Sequence, residues 1–543
     1  LAVATLLPFT APGQSAPDEP GAAGSRRHER ELEQIVVTAI PNAEPGAELL
    51  RPAAVLGGAE LEQRRTNTIG GTVAREAGVQ SGTFGPAVGR PIIRGLEGAR
   101  VQVLQSGVSS LDVSTVSADH AVTIEPFLAD QIEILKGPST LLFGSGAIGG
   151  VVNMVDGRIA EAPVEGFGGR AELHGNTVNN ERAGMVRLDA GNGAAAMHVD
   201  YVRRDGDDFD LPDGSLLNSA IDQKSGAAGA GYASDAGFLG VSFSRYDSLY
   251  GIPLGPSNAE PEAGEEAEEI RLDQEQTRVD VRGGIYSPWT WLDKLSFRFA
   301  DNDYEHVELA GGEIGTRFTN DAWEGRIEAV HAGFGGWTGA FGYQASSRDF
   351  AAIGAEAFVP PTTTDDWGLF LIERREFEPF ELELGARYDS VESETDTGLS
   401  SDHSPVSLSA AGLWRFSEAW HASLNLDRAQ RAPVAEELYS DGPHEATGSF
   451  EIGDADLDRE TANQVEIGLH YHQGAIEAKV AAYYNRFNDF IYLAETGLED
   501  PEEGLPIRLW SQDDAEFRGV EGELRWRFAE NASGDWHLRA NGD

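Results

Sequence analysis

The sequence predicts a transmembrane antiparallel β-barrel that follows a compact N-terminal α+β domain. From Gly166 to the C-terminus, apolar and polar residues alternate with a period of two, which is typical of strands with one apolar and one polar face. Many of these runs can be extended to the roughly 9–11 residues that a tilted membrane strand needs. Aromatic residues recur near the ends of the runs, as expected at a membrane interface, at Trp289, Trp291, Trp414, Trp420, Tyr483 and Tyr484.

Residues 161–543 are assigned to the barrel, and the alternation predicts about 17 or 18 strands in them. Long polar insertions predict external loops; they lie at residues 203–224, 257–270, 389–404, 441–458 and 496–506. The sequence ends at Ala540-Asn541-Gly542-Asp543 without an apolar, aromatic last strand, and an open barrel would leave unpaired strand edges in lipid. We therefore expect a fragment that is truncated at both ends and lacks C-terminal strands.

The N-terminal part is divided into three segments. Residues 1–16 have the apolar core and small residues of a partial signal peptide, which implies export. Residues 17–48 are charged and rich in Pro and Gly, and therefore predict a flexible segment. Within it, the apolar run 33–39 could add to the sheet edge of another protein or could be an ordinary first strand. Residues 49–160 predict one α+β domain, with short strands at 91–94, 100–105, 131–135 and 150–155 separated by glycine turns.

Composition excludes several classes of function. The 41 basic and 90 acidic residues give a net charge of −49, which argues against nucleic acid and favours cations as ligands, although a general acidic surface would give the same balance. The chain has no cysteine, so disulfides, thiolate catalysis and Cys-based zinc fingers are excluded.

No zinc-protease, serine-hydrolase or Walker motif is present, and we predict that the protein is not an enzyme. Gly144, Gly146 and Gly149 match a dinucleotide fingerprint, but the following residues favour a strand, so no nucleotide site is expected.

Several motifs resemble the TonB-dependent outer-membrane receptor family over nearly the whole chain. EQIVVTA at Glu33, Gln34, Ile35, Val36, Val37, Thr38 and Ala39 resembles the TonB box, and residues 89–108 and 131–155 resemble the plug signatures. The resemblance implies a barrel of about 22 strands around an N-terminal plug, a size at which the lumen must be blocked. It also implies a bacterial outer-membrane location in contact with lipid, and TonB as the partner that supplies energy.

Three further motifs resemble the ZnuD-type zinc receptor branch: SADHAV at 117–122, YGIP at 250–253 and ELYSDGPH at 437–444. This resemblance implies that Asp119, His120 and His444 bind zinc, with Glu308 as a further ligand and His306 and Glu305 as rivals to it. Imidazole and carboxylate ligands suit zinc in tetrahedral geometry. An Asp-His pair can also be ordinary solvated loop, and neighbours on an extended strand point to opposite faces, so both bind one ion only if the chain turns there.

The resulting functional prediction is TonB-dependent import of a metal ion, zinc first, as transported ligand and without a prosthetic group. Residues 257–270 contain six glutamates and no histidine, unlike the His-rich loop of many members of the branch. The alternatives are import of copper, a ferric siderophore, haem or cobalamin through the same fold. A passive porin is disfavoured because it needs no plug, whereas an adhesin role of the external loops remains open.

Overall fold

The computed structural model describes residues 4–5, 53–137, 140–253, 270–355, 357–444, 446–531 and 534–543. The short strand β1 (Ala4–Thr5) pairs with the first barrel strand. The predicted TonB box at 33–39, the rest of the predicted flexible segment and the acidic run at 257–269 lie outside the described residues. Within the described part of the chain, no helix is both long and apolar enough to span a membrane.

The N-terminal domain is a plug built on a five-stranded sheet of order β2-β7-β8-β5-β6, with a separate β3-β4 hairpin. Its strands are β2 (Ala53–Gly57), β3 (Val79–Thr83), β4 (Gly89–Ile93), β5 (Val101–Gln105), β6 (Val108–Ser109), β7 (Gln131–Lys136) and β8 (Gly150–Val155), and its helices are α1 (Gly58–Arg64), α2 (Ile69–Val73) and α3 (Thr140–Phe143). The four strands predicted from sequence are confirmed with bounds that differ by a residue or two. Buried Ile, Leu and Val from the sheet and from α1 and α2 form its core.

The remaining residues form a closed barrel in which the strands follow chain order. Its elements are β9 (Val164–Asn176), β10 (Glu181–Gly193), β11 (Ala195–Gly206), β12 (Phe209–Leu211), β13 (Gly214–Leu216), β14 (Ile221–Ser234), β15 (Gly237–Gly251), β16 (Ile270–Trp289), β17 (Leu292–Ala310), β18 (Glu313–Phe334), β19 (Trp337–Gly354), β20 (Thr362–Phe377), β21 (Phe380–Thr395), β22 (Ser400–His403), β23 (Val406–Arg415), β24 (Trp420–Arg431), α4 (Ala435–Tyr439), β25 (Asp441–His444), β26 (Ser449–Ile452), β27 (Glu460–Gln473), β28 (Ile476–Glu499), β29 (Pro506–Asn531) and β30 (Gly534–Gly542). Among the described residues, seventeen of these strands have nine residues or more, in agreement with the 17 or 18 predicted.

The barrel strands carry apolar side chains outside and polar side chains inside. In β11, Met197, Val199 and Tyr201 are exposed, whereas the alternate residues His198 and Asp200 are buried against the plug. This arrangement reverses that of a soluble protein, because the outer surface faces lipid and the inner surface faces a polar plug.

The two ends of the barrel differ. Short turns such as 234–237, 334–337 and 473–476 join strands at one end, and the longer connections 206–221 and 395–406 lie at the other. Exposed aromatic residues line the short-turn end at Trp289, Trp291, Phe334, Phe377, Phe380, Trp414, Trp420, Trp526 and Phe528. In outer-membrane barrels the short turns face the periplasm, so the long connections lie outside the cell.

Buried ion pairs hold the plug inside the barrel. Arg94 lies 2.7 Å from carboxylates of both Glu466 and Glu521 on the wall. Arg100 donates from Nε to both oxygens of Glu460 at 3.1 Å. Removing one partner of such a pair leaves a buried charge uncompensated, so these contacts fix the orientation of the plug.

Gly149, the last glycine of the apparent dinucleotide fingerprint, has a structural role. A Cβ atom at this position would lie 2.8 Å from the carbonyl oxygen of Arg100, and the Gly149 backbone N–H donates to that same oxygen at 2.7 Å. Two plug segments therefore approach each other more closely than any side chain would permit, and the fingerprint reflects packing.

Candidate metal centre

The plug contributes a loop at residues 110–123, between β6 and β7. One carboxylate closes the loop: Asp112 accepts hydrogen bonds from the backbone and hydroxyl of Ser114 at 3.0 and 2.6 Å, and from those of Thr123 at 3.0 and 3.1 Å. Because its two ends are drawn together, the chain turns at Asp119 and His120. This is the turn that both residues need if they are to approach one ion.

The barrel wall contributes β17. Tyr304, His306 and Glu308 occupy alternate positions and therefore share the inner face of the strand. Glu305 occupies an intervening position and therefore lies on the outer face of the strand. It is about half exposed, and its Oε2 lies 3.7 Å from a guanidinium nitrogen of Arg317. The structure thus brings His306 and Glu308 to the plug and leaves Glu305 facing outward.

His120, His306 and Glu308 meet between the plug loop and the wall. Their nearest ligand atoms all lie within 4.8 Å of one another. Nε2 of His120 is 3.5 Å from Oε1 of Glu308, and Nε2 of His306 is 3.8 Å from the same oxygen. A tetrahedral zinc ion holds nitrogen and oxygen ligands about 3.3–3.5 Å apart, so only small shifts are needed to place an ion among these three groups.

Both imidazoles present Nε2 to the cluster because Nδ1 is engaged elsewhere. Nδ1 of His120 donates to the carbonyl of Val113 at 3.1 Å, and Nδ1 of His306 lies 2.9 Å from the hydroxyl of Tyr304. Among the described residues, neither Nε2 atom has a hydrogen-bond partner, although both are buried. A metal-binding histidine is held in this way, with one nitrogen oriented by a protein group and the other free for the ion.

The surroundings of the cluster exclude water and favour positive charge. His120 is 1% exposed, and Phe318 stacks on His306 at a centroid distance of 4.5 Å and meets His120 edge-on at 5.0 Å. Burial lowers the pKa of His120, but the carboxylates of Asp119 and Glu308 more than offset it and leave that pKa above its usual value. The two carboxylates therefore favour positive charge on the His120 side of the cluster.

Asp119 lies at the border of the cluster. Its Oδ1 is 3.9 Å from Nε2 of His120 and accepts a hydrogen bond from the hydroxyl of Ser117. The hydroxyl of Tyr250 ties the same turn to the wall, because it donates to the carbonyl of Asp119 at 3.1 Å and accepts from the backbone N–H of Ala121 at 3.0 Å. The turn thus holds the Asp119 carboxylate beside the three-residue cluster.

His444 lies outside the three-residue cluster. Its Nε2 is 2.7 Å from the hydroxyl of Ser117, its Nδ1 is 2.8 Å from Glu451, and its ring stacks on Phe358 at 4.3 Å. It reaches Asp119 only through Ser117. Two hydrogen bonds through Ser117 therefore connect His444 to Asp119, and neither nitrogen of His444 is free.

Sequence reasoning missed the groups that orient the ligands. Gln274 donates to the Tyr304 hydroxyl and to the carbonyl of Ala121, both at 2.9 Å, and so connects the wall ligand to the plug loop. Tyr304 was predictable from the alternation of side chains along a strand, which places it on the same face as His306 and Glu308 and places Glu305 on the opposite face. Tyr250 lies in the YGIP motif, but its contact with the plug is not readable from the sequence.

Comparison with known proteins decides the family. Residues 175–543 match the family model described as TonB dependent receptor-like, beta-barrel, and residues 46–151 match the TonB-dependent receptor plug domain. The chain belongs to the TonB-dependent receptor family. This receptor is therefore an importer of the bacterial outer membrane that works with TonB, and not an enzyme.

Solved structures share the fold at low sequence identity. The copper transporter OprC is 18% identical over 94% of this chain and 80% of its own, with a TM-score of 0.76. A double mutant of the Serratia marcescens hemophore receptor HasR, in complex with its hemophore HasA and heme, is 16% identical over 88% of this chain and 80% of its own, with a TM-score of 0.74. The FrpB iron transporter of Neisseria meningitidis is 15% identical over 88% and 78%, with a TM-score of 0.69. The names of these proteins refer to copper, haem and iron. The likeness therefore establishes the fold of this receptor, and its substrate has to be inferred from the residues of the candidate site.

Substitution Tyr304→Phe tests the orienting role of the tyrosine hydroxyl. The phenylalanine ring keeps the packing, but Nδ1 of His306 loses its partner at 2.9 Å. We expect the affinity of the purified receptor for zinc to fall by roughly 10–100-fold, the usual effect of removing a group that orients a metal ligand. Tyr286→Phe is the matched control, because the Tyr286 hydroxyl donates to the carbonyl of Glu161 and has no contact with the cluster among the described residues. Equal loss in both variants, measured by calorimetric titration, would contradict the role.

Proposed function

We propose that this receptor imports zinc across the outer membrane and that His120, His306 and Glu308 form the binding site for the ion. The observation that carries the proposal is the pair of buried, unpartnered Nε2 atoms that face one carboxylate oxygen at 3.5 and 3.8 Å. Leaving two such nitrogens unpaired costs free energy, which a bound cation would recover. Asp119 or a water molecule would complete a tetrahedral set.

The donor atoms favour zinc over the other cargoes. Two imidazole nitrogens and a carboxylate suit a borderline-soft divalent ion, whereas monovalent copper prefers thiolate or thioether sulfur. The chain has no cysteine, and Met154 and Met185 are buried in other clusters while Met197 faces outward. The enclosure by Phe318 fits a bare ion, and the net charge of −49 opposes anionic chelates.

A site shared by plug and wall suits transport because movement of one part dismantles it. His120 belongs to the plug, and His306 and Glu308 belong to the barrel. A displacement of the plug loop by an ångström or two would remove one of three ligands and release the ion. The energy comes from TonB, which we propose engages residues 33–39 and draws on the inner-membrane proton gradient.

Uptake of radioactive zinc by a receptor-deleted strain that expresses this chain tests the cargo. We expect saturable uptake that a proton uncoupler abolishes, that unlabelled zinc suppresses, and that equimolar ferric siderophore or haem does not. The uncoupler arm is the control for passive leakage through the barrel. Stronger suppression by haem or a ferric chelate than by zinc would show that the cargo is a chelate and that the proposal is wrong.

A further inference from the structure

A polar cavity of about 250 Å³ lies between the plug and the wall, beside the 110–123 loop. Ser110, Asp112 and Ser114 of the loop line one side, and residues of β18, β19 and β20 line the other. The cavity therefore shares the loop that carries His120. Its volume is that of several water molecules, at about 30 Å³ for each.

Acidic and amide oxygens face this cavity from three adjacent strands. Glu324 of β18 pairs with Ser346 of β19, and Ser346 pairs with Asp366 of β20, so the three side chains form one row across the inner face. With strands about 4.8 Å apart, the two carboxylates of the row are separated by about 10 Å at the backbone. That span leaves room between them for an ion together with water ligands.

One oxygen atom of the row, on Asp366, and one beside it, on Gln344, lack hydrogen-bond partners among the described residues. Gln344 is 8% exposed, and its Nε2 donates to Oε1 of Glu324 at 2.9 Å, which fixes the amide and leaves its Oε1 without a hydrogen-bond partner among the described residues. Oδ1 of Asp366 is likewise buried and unpartnered there. Both side chains line the cavity. Asp112 differs, because its oxygens are saturated by the loop that it closes.

The two arginines that line the cavity have acceptors of their own. Arg90 donates to the carbonyls of Ser114 and Ser117 at 2.7 and 3.1 Å. Arg348 donates to Asn320 at 2.6 Å and lies 3.8 Å from Glu436. Neither arginine bonds Glu324 or Asp366 among the contacts of the described residues. Neither of these two arginines is therefore paired directly with the row, and Arg278 and Arg326 act on Glu324, and Arg387 on Asp366, only through their charge.

We propose that Glu324, Gln344 and Asp366 form a second cation site that holds a partly hydrated divalent ion after it leaves the histidine site. The inference rests on the proposed function for its place in transport, but the site is defined by its own oxygens. Its ligands are hard oxygen donors, so the ion is held more weakly and exchanges faster than at the two histidines. A second, weaker site of this kind would let the ion dissociate from the histidine site in steps and move inward while it is partly hydrated.

Manganese binding tests the site separately from the histidine site, because Mn²⁺ prefers oxygen ligands and is visible by electron paramagnetic resonance. The full chain, purified in detergent and saturated with one equivalent of zinc, is titrated with Mn²⁺. We expect one additional bound Mn²⁺ in the wild type and its loss in the Glu324→Gln/Asp366→Asn double variant. Asp349→Asn is the matched control, since it removes a carboxylate from the outer face of β19, where Asp349 bonds only Thr363 among the described contacts.

The zinc titration of the same samples separates failure of this inference from failure of the proposed function. The double variant should keep wild-type zinc affinity, which also shows that it is folded, and should import zinc several-fold more slowly in cells. Absence of bound Mn²⁺ in the wild type, or equal Mn²⁺ binding in the double variant, overturns the second site whatever the zinc result. Zinc affinity that is unaffected by His120→Ala overturns the proposed function, and loss of Mn²⁺ in the double variant would still support the second site.

Discussion

Substitution His120→Ala is expected to abolish high-affinity zinc binding. His120 is the ligand that we propose for the plug, and its removal leaves one imidazole and one carboxylate from the same wall strand, too few for a structured zinc site. The loss should exceed the roughly 10–100-fold effect of changing an orienting group. Calorimetric titration of the purified receptor measures the affinity, and growth of the receptor-deleted strain in zinc-limited medium measures the consequence.

The matched control is His198→Ala. Like His120, His198 is buried, but both of its nitrogens are hydrogen bonded, to Asp189 at 2.7 Å and to Asp200 at 2.8 Å, and it lies on β11 away from the cluster. We expect it to leave zinc affinity within about twofold of the wild type, even if stability falls by the 1–3 kcal/mol typical of a lost buried hydrogen bond. If His120→Ala binds zinc like His198→Ala, the three-residue centre is wrong.

His444→Ala tests whether His444 itself binds the ion or only supports Asp119 through Ser117. The motif resemblance makes His444 a ligand, whereas the structure places it behind Ser117, with both nitrogens engaged. On the geometry alone, we expect an effect no larger than that of Tyr304→Phe. A loss as large as that of His120→Ala would mean that Ser117 moves aside and His444 joins Asp119 on the bound ion.

The barrel could be predicted from the sequence because its signal is local. Alternation in runs such as 464–472 marks strands, and the structure places Val465 and Ile467 outside and Gln464 and Glu466 inside. The plug strands were recognisable because β-branched runs are separated by glycines. What the sequence could not show is which long polar insertions form short barrel-edge hairpins such as β12-β13 and β25-β26, because period-two patterning is absent there.

The metal centre could be predicted only in part, for a different physical reason. The alternation of side chains along a strand places His306 and Glu308 on one face and Glu305 on the other. The sequence around His120, however, does not show that this residue lies against that strand. That proximity depends on how Asp112 closes the plug loop and on how Gln274 bridges the loop to Tyr304. These are contacts between distant segments, and they follow from the seating of the plug in the barrel.

Deletion of residues 33–39 is expected to abolish zinc import while leaving zinc binding unchanged. The deletion removes the proposed TonB contact and none of the three residues of the candidate metal centre. Uptake of radioactive zinc should fall to the level of the receptor-deleted strain. Titration of the purified deletion variant should give the wild-type affinity.

The order of the plug sheet explains how a pull on this segment can reach the metal. The first described plug strand, β2, pairs with β7 at one edge of the sheet, and β6, which leads directly into the 110–123 loop, forms the other edge. The loop also leads into β7, the direct partner of β2, so force that enters at β2 has to cross only one strand pair before it reaches the loop that carries His120. Full zinc import by the deletion variant would show that release needs no pull at this segment. Normal import by a variant in which the seven residues 33–39 are scrambled would show that TonB requires the length of the segment rather than its sequence. Loss of import in both, with binding retained, requires that the segment be recognised as a sequence and that its movement be transmitted through the sheet to open the site.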